Sequence, residues 1–181
     1  YSSNWNSVAL GISSGAKMTV NSGNYTSDPA GDAHGTWVAY IMSSGGTLEI
    51  NEGTFNGTVA ETANASNACG LICADAKAVV NINGGEFNPT AGYDGSSVYI
   101  TNGTNDIQVS ITGGTFNTKI GCADSNKSGV KGCITGGQFK ANPSAFVAYG
   151  YPVIAPETEG GYFTIGQYAA VAKIGDKEYG S

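Results

Sequence analysis

The stretch VNINGGEF at residues 80–87 decides the fold, because the same short phrase recurs along the chain. It returns as MTVNSGNY at 18–25, LEINEGTF at 48–55, VSITGGTF at 109–116 and, shortened, CITGGQF at 133–139. The aromatic residues that close these phrases, Tyr25, Phe55, Phe87, Phe116 and Phe139, stand 30, 32, 29 and 23 residues apart. A period of that size marks a repeat architecture, in which each unit buries its apolar face only by stacking on its neighbours. Within each phrase apolar and polar residues alternate, as in Leu48-Glu49-Ile50 and Val80-Asn81-Ile82, which predicts a half-buried strand. A glycine follows (Gly23, Gly53, Gly85, Gly114 or Gly137), where a sharp turn gains from the missing Cβ, and the aromatic two residues later returns inward.

Upstream of each phrase lies another apolar segment. Residues 8–12, 37–42, 71–73 and 98–100 each precede a turn, and SSGAKMTVNSGNY matches SSGGTLEINEGTF turn included. Each repeat therefore carries at least two strands, with a third around the aromatic anchor. The segments 28–35, 61–68 and 88–96 are polar and of unequal length, and read as loops along one edge of the stack. The fold expected is all-β: a right-handed parallel β-helix of about five coils, with handedness set by the usual chirality of parallel crossovers. Coils span residues 1–142, and residues 143–181 form an aromatic-rich C-terminal cap or junction with hairpin turns at 157–161 and 175–176.

Composition narrows the function. The chain has 181 residues, 28 of them glycine, with 12% charged residues and net charge −6. All eight basic residues are lysine, too few and too scattered for a phosphate backbone, so no nucleic-acid partner is expected. No apolar run reaches the roughly 18–20 residues of a membrane span, and no secretory leader opens the sequence at Tyr1, so a mature or excised fragment is expected.

The segment ITGGQFKANPSAFVAYGYPVIAPETEGGYFTIG at 134–166 resembles the end of a repeat unit in large GGTF-repeat β-helix proteins on the surface of gut Firmicutes and Actinobacteria. In those units a GGTF phrase is followed by a D/N-P-S-x-[YF]-V-A-x-G-Y segment and a short hairpin. AAVAKIGDKEYGS at 169–181 is similar to the opening of a following unit. Ala148-Tyr149 departs from the pattern, which has an acidic residue before the glycine. The resemblance implies a secreted or wall-attached location, extracellular or on the cell surface, and no defined chemistry.

Catalysis is weighed residue by residue, since the fold alone decides nothing. Lyases of the pectate type, on the same kind of helix, use an arginine base beside calcium-bound carboxylates, and this chain has no arginine. A hydrolase needs two carboxylates about 5–9.5 Å apart. Asp75, Asp94, Asp106 and Asp124 are the candidates, and all fall in predicted turns, where aspartate serves the local backbone. His34 is the lone histidine, without converging partners. The oxygen-rich run 102–106 lacks the spacing and bidentate glutamate of an EF-hand. No enzyme activity, metal or cofactor is expected.

Four cysteines remain. Cys73-Ala74-Asp75 and Cys122-Ala123-Asp124 take matching places two layers apart, too far for one bond at about 4.8 Å per layer. The expected bonds are Cys69 to Cys73 and Cys122 to Cys133, with a four-thiol zinc site as the alternative. Tyr149, Tyr151, Tyr162 and Phe163 are candidates for a sugar-stacking face, against the plainer reading that they seal the last coil. The function expected is a non-catalytic adhesive or structural stalk presenting loops to a host or bacterial surface glycan or protein. Two alternatives stand beside it: a subunit that associates head to tail into an extracellular filament, and a glycan-binding or carbohydrate-active domain.

Overall fold

The computed structural model describes residues 2–3, 6–27, 36–57, 70–89, 96–101, 106–122, 129–167, 170–174 and 177–180. The strands form three large sheets, each taking one strand from successive repeats in chain order. The first sheet runs β2 (Asn6–Ile12), β5 (Thr36–Ile41), β8 (Gly70–Ala74), β11 (Ser96–Ile100) and β14 (Lys119–Cys122), all parallel, with β1 (Ser2–Ser3) antiparallel on β2. The second holds β3 (Lys17–Val20), β6 (Gly46–Ile50), β9 (Ala78–Ile82) and β12 (Gln108–Ile111). The third stacks β4 (Asn24–Ser27), β7 (Thr54–Gly57), β10 (Glu86–Pro89), β13 (Thr115–Phe116) and β15 (Gln138–Phe139). Parallel sheets repeated in this order are compatible with a β-solenoid, and the third strand of each repeat lies at the aromatic anchor, as expected.

Alternation decides which side each strand buries. In β6 and β9, Leu48, Ile50, Val80 and Ile82 are fully buried while Thr47, Glu49, Val79 and Asn81 face outward. The inward residues form one continuous core cluster from Ile12 to Phe146. Its spine is the aromatic ladder: Tyr25, Phe55, Phe87, Phe116 and Phe139 stack with ring centroids 5.2, 5.0, 4.7 and 4.8 Å apart. Each stacked pair adds about 0.5–1.5 kcal/mol beyond the burial of its area.

The glycine turns continue the ladder instead of interrupting it. Thr54 N bonds Gly23 O at 2.9 Å, Glu86 N bonds Gly53 O at 2.8 Å, and Thr115 N and Gln138 N bond Gly85 O and Gly114 O at 2.9 Å. Gly23, Gly53, Gly85, Gly114 and Gly137 hold φ between 98° and 124°, a region L side chains rarely enter. Outside these turns the amides of Asn21, Asn51 and Asn83 stack in a second ladder. Asn51 Nδ2 donates to Asn21 Oδ1 at 2.8 Å, Asn83 Nδ2 to Asn51 Oδ1 at 2.9 Å, and Thr112 Oγ1 to Asn83 Oδ1 at 2.9 Å. A third ladder, Asn56, Asn88 and Asn117, runs along the third sheet and ends where the Tyr162 hydroxyl donates to Asn117 Oδ1.

Above β15 the pairing turns antiparallel. β17 (Phe163–Ile165) lies on β15 with Phe163 opposite Phe139, and β16 (Val153–Ile154) lies on β17. Gly161 N closes the connecting turn on Thr158 O at 3.0 Å, so the hairpin expected around 157–161 is present. A 3-10 turn at Ser144–Phe146 precedes it and buries Phe146. β18 (Ala170–Ile174) and β19 (Lys177–Gly180) pair antiparallel as a separate two-stranded sheet, flanking the turn expected at 175–176.

The cysteines need correction. Cys73, Cys122 and Cys133 stand as thiols, so neither the Cys69 to Cys73 nor the Cys122 to Cys133 disulfide is formed. Gly70 to Cys73 is one extended strand, not the tight turn the first bond requires, and Cys69 itself lies outside the described residues. Cys133 is buried and tethered by its backbone, its N–H on Val130 O at 3.2 Å and its carbonyl accepting from Ile111 N at 2.8 Å. The matching places of Cys73 and Cys122 also shift. A bulge between Ser96 and Val98, on the β14 side of β11, sets Cys122 opposite Ile100 while Cys73 pairs with Tyr99. The two cysteines are thus out of step by one residue.

Candidate binding groove and aromatic face

The stacked glycine turns leave a long open groove between the second and third sheets, about 950 Å³ in volume, reaching from Ser22 to Thr164 and Ile165. Its floor is backbone, and Asn24, Thr54, Asn83, Thr115 and Gln138 supply hydroxyl and amide groups along it. Among the described residues, Glu52 and Glu86 are the two carboxylates that line it, and no lysine does. Glu52 Oε1 lies 3.4 Å from where a Cβ on Gly84 would stand, and Glu86 follows two residues later, so both acids flank the Gly84-Gly85 turn. A strip of this chemistry can donate and accept hydrogen bonds, and its two carboxylates disfavour an anionic group beside them. The sequence pattern points to aspartates in turns and leaves both glutamates unmarked. Aligning Asn51-Glu52-Gly53-Thr54 with Asn83-Gly84-Gly85-Glu86 sets Glu52 at the Gly84 place and Glu86 opposite Thr54, so the two acids are near each other without stacking.

Asp75, one of the candidate carboxylates, is committed to its turn. Its Oδ1 accepts from Ala76 N at 2.7 Å and Thr101 Oγ1 at 2.9 Å, and its Oδ2 from the Tyr40 hydroxyl at 3.0 Å. Asp106 also sits in a turn. Asp94, Asp124, His34 and residues 102–105 lie outside the described residues, as do the segments 28–35, 61–68 and 90–95.

Asp75 also anchors a feature the sequence did not announce. Tyr40 and Tyr99 flank Cys73 in register on the first sheet, and the Trp37 ring lies 6.1 Å from Tyr40 and 6.2 Å from Tyr99. Burial first, then the Asp75 carboxylate, pushes the Tyr40 hydroxyl well above the usual tyrosine range, and burial pushes Tyr99 the same way.

The four aromatic candidates do not form one face. Phe163 packs against the core above Phe139, and its neighbour Tyr162 caps the Asn117 ladder with Lys140 Nζ 4.2 Å from its ring centroid. Tyr151 is half-buried, while Tyr149 is 71% exposed. Sealing the last repeat accounts for Phe163 and Phe146, and leaves Tyr149 as the aromatic most open to a ligand.

Burial pushes the Cys133 thiol up from 9.0 to about 12, with Cys122 adding to the rise. A thiol raised in this way favours the fold below the ordinary value, and that contribution is lost as pH climbs from 9.0 toward 12. Stability should therefore fall across that window, with Tyr40 and Tyr99 contributing in the same direction, and Cys133→Ala should flatten part of the slope. Urea midpoints between pH 8 and 11 check this, and iodoacetamide at pH 8 should label Cys133 only after unfolding.

Comparison with protein-family models, curated proteins and solved structures finds no match to this chain.

Proposed function

We propose that the chain is a non-catalytic structural and adhesive module of a bacterial surface protein: a right-handed parallel β-helix of about five coils, closed above by a β-hairpin cap. The observation that carries this reading is the ladder system. The side chains that would otherwise be free for chemistry stack on their own counterparts in the next layer, as phenylalanine on phenylalanine and asparagine on asparagine. Such stacking gives a stiff rod whose stability is shared by all layers, and it suits a stalk that holds loops away from a cell.

A second reading, glycan binding, is favoured by the groove alone. Its polar strip crosses every layer, and its acids suit a neutral chain over an acidic one.

Negative-stain microscopy, with assays for reducing ends released from neutral and acidic polysaccharides, tests the reading. Short rods without turnover are expected. Turnover abolished by Glu52→Gln or Glu86→Gln would replace the stalk with an enzyme.

A further inference from the structure

Polar side chains that stack in register up this chain are satisfied in different ways. The amides of Asn21, Asn51 and Asn83 bond one another, as do those of Asn56, Asn88 and Asn117. A further row, Asn24, Thr54, Glu86, Thr115 and Gln138, is equally in register across β4, β7, β10, β13 and β15, and it lines the groove. Among the described residues its side chains bond no protein group. Where the two ladders repeat asparagine, this row mixes amide, hydroxyl and carboxylate.

The backbone beside the row is half used. The carbonyls of Gly53, Gly85 and Gly114 accept from the layer above, while the N–H groups of Gly53, Gly85, Gly114 and Gly137, which line the same groove, donate to no described carbonyl or side chain. Layer after layer therefore offers the groove one peptide donor and one polar side chain.

Spacing and charge select what can use them. Beneath the row, successive rings of the aromatic ladder stand 5.2, 5.0, 4.7 and 4.8 Å apart. An extended peptide advances about 3.3 Å per residue and falls out of step with that period within two layers. A pyranose ring in an extended β-1,4-linked chain advances by close to one layer and carries hydroxyl groups on both edges, so it can meet the groups of every layer in turn. Glu52 and Glu86 lie in the run of the groove and disfavour a uronic or sulfated sugar there.

On the glycan-binding reading of the groove, from which this inference proceeds, we propose that the groove takes an extended, uncharged β-1,4-linked glycan along the stack, one sugar to each layer.

Titration calorimetry of the full chain with β-1,4-linked gluco-oligosaccharides, from disaccharide to pentasaccharide, tests this. Each added sugar should tighten binding about three- to tenfold, the worth of one or two hydrogen bonds. The α-1,4-linked series, whose chain curls, should gain nothing with length, and a β-1,4-linked oligouronic acid should bind about tenfold more weakly than its neutral counterpart. Thr54→Ala and Thr115→Ala each remove one hydroxyl of the row and should weaken the pentasaccharide about fivefold with an unchanged far-ultraviolet spectrum. Thr47→Ala, on β6 and outside the groove, should leave it as it was. Affinity that ignores chain length, an α-linked series that binds equally well, a preference for the oligouronic acid, or binding only of some other sugar on a glycan array would overturn the register of one sugar per layer and leave glycan binding standing. Silence across the array, or binding only of an uncharged serine- and threonine-rich peptide, would overturn both.

Discussion

Replacing Gly113 by alanine is expected to cost about 3 kcal/mol or more and to lower the thermal midpoint by about 10 °C. The new Cβ would stand 2.3 Å from Asn83 O and 3.1 Å from Asn83 C in the layer below. Both contacts are backbone, so no rotamer change relieves them. Moving the layers apart instead stretches the bonds from Thr112 N to Ile82 O at 2.8 Å and from Thr115 N to Gly85 O at 2.9 Å. The same collision awaits Gly84, 2.3 Å from Asn51 O, and Gly136, 2.1 Å from Thr112 O. The double glycine of the upper three repeats is therefore a packing requirement between layers. The first two repeats carry Ser22 and Glu52 in that place, so the requirement begins with the third. Gly160→Ala is the control: its φ of +74° is strained for alanine, but nothing lies within 4 Å, and about 1 kcal/mol should be lost. Thermal unfolding followed by circular dichroism separates the two, and equal losses would mean the turns do not stack as closely as described.

Much of this arrangement was legible in the sequence, because what repeats in the chain repeats in space. The five aromatic anchors fell into register through their spacing alone, and alternation placed Leu48, Ile50, Val80 and Ile82 inside. The cysteines misled for a physical reason. CAD at 73–75 and CAD at 122–124 look equivalent, and continuous pairing from Ser96 opposite Lys119 would bring Cys73 and Cys122 into line through Tyr99. The bulge at Ser97, a fully buried residue whose hydroxyl has no partner, moves β14 by one residue and undoes that alignment. A bulge leaves no periodic mark in sequence. The groove was hidden differently, since its floor is backbone and its acids occupy different places in successive repeats. Side-chain identities seen one repeat at a time do not show a surface made by stacking.

Phe87→Ala should have the second large effect, about 3–5 kcal/mol, and should also change how the chain unfolds. Phe87 is fully buried between two rings, Phe55 at 5.0 Å with planes 9° apart and Phe116 at 4.7 Å with planes 2° apart. Removing it deletes two stacked contacts and leaves a cavity in the middle layer. Tyr25, at the lower end of the ladder, has one ring neighbour among the described residues and is only half-buried, so Tyr25→Ala should cost about 2 kcal/mol. In a stack where each repeat touches only its neighbours, position matters as much as size. A weak end layer frays, while a weak middle layer separates two blocks that can then melt independently. Urea unfolding should accordingly stay a single transition in Tyr25→Ala but broaden or split in Phe87→Ala, with a lower apparent slope against denaturant. If Phe87→Ala cost no more than Tyr25→Ala and kept a single sharp transition, the aromatic ladder would not be what couples the layers, and the backbone and asparagine ladders would have to carry that cooperativity.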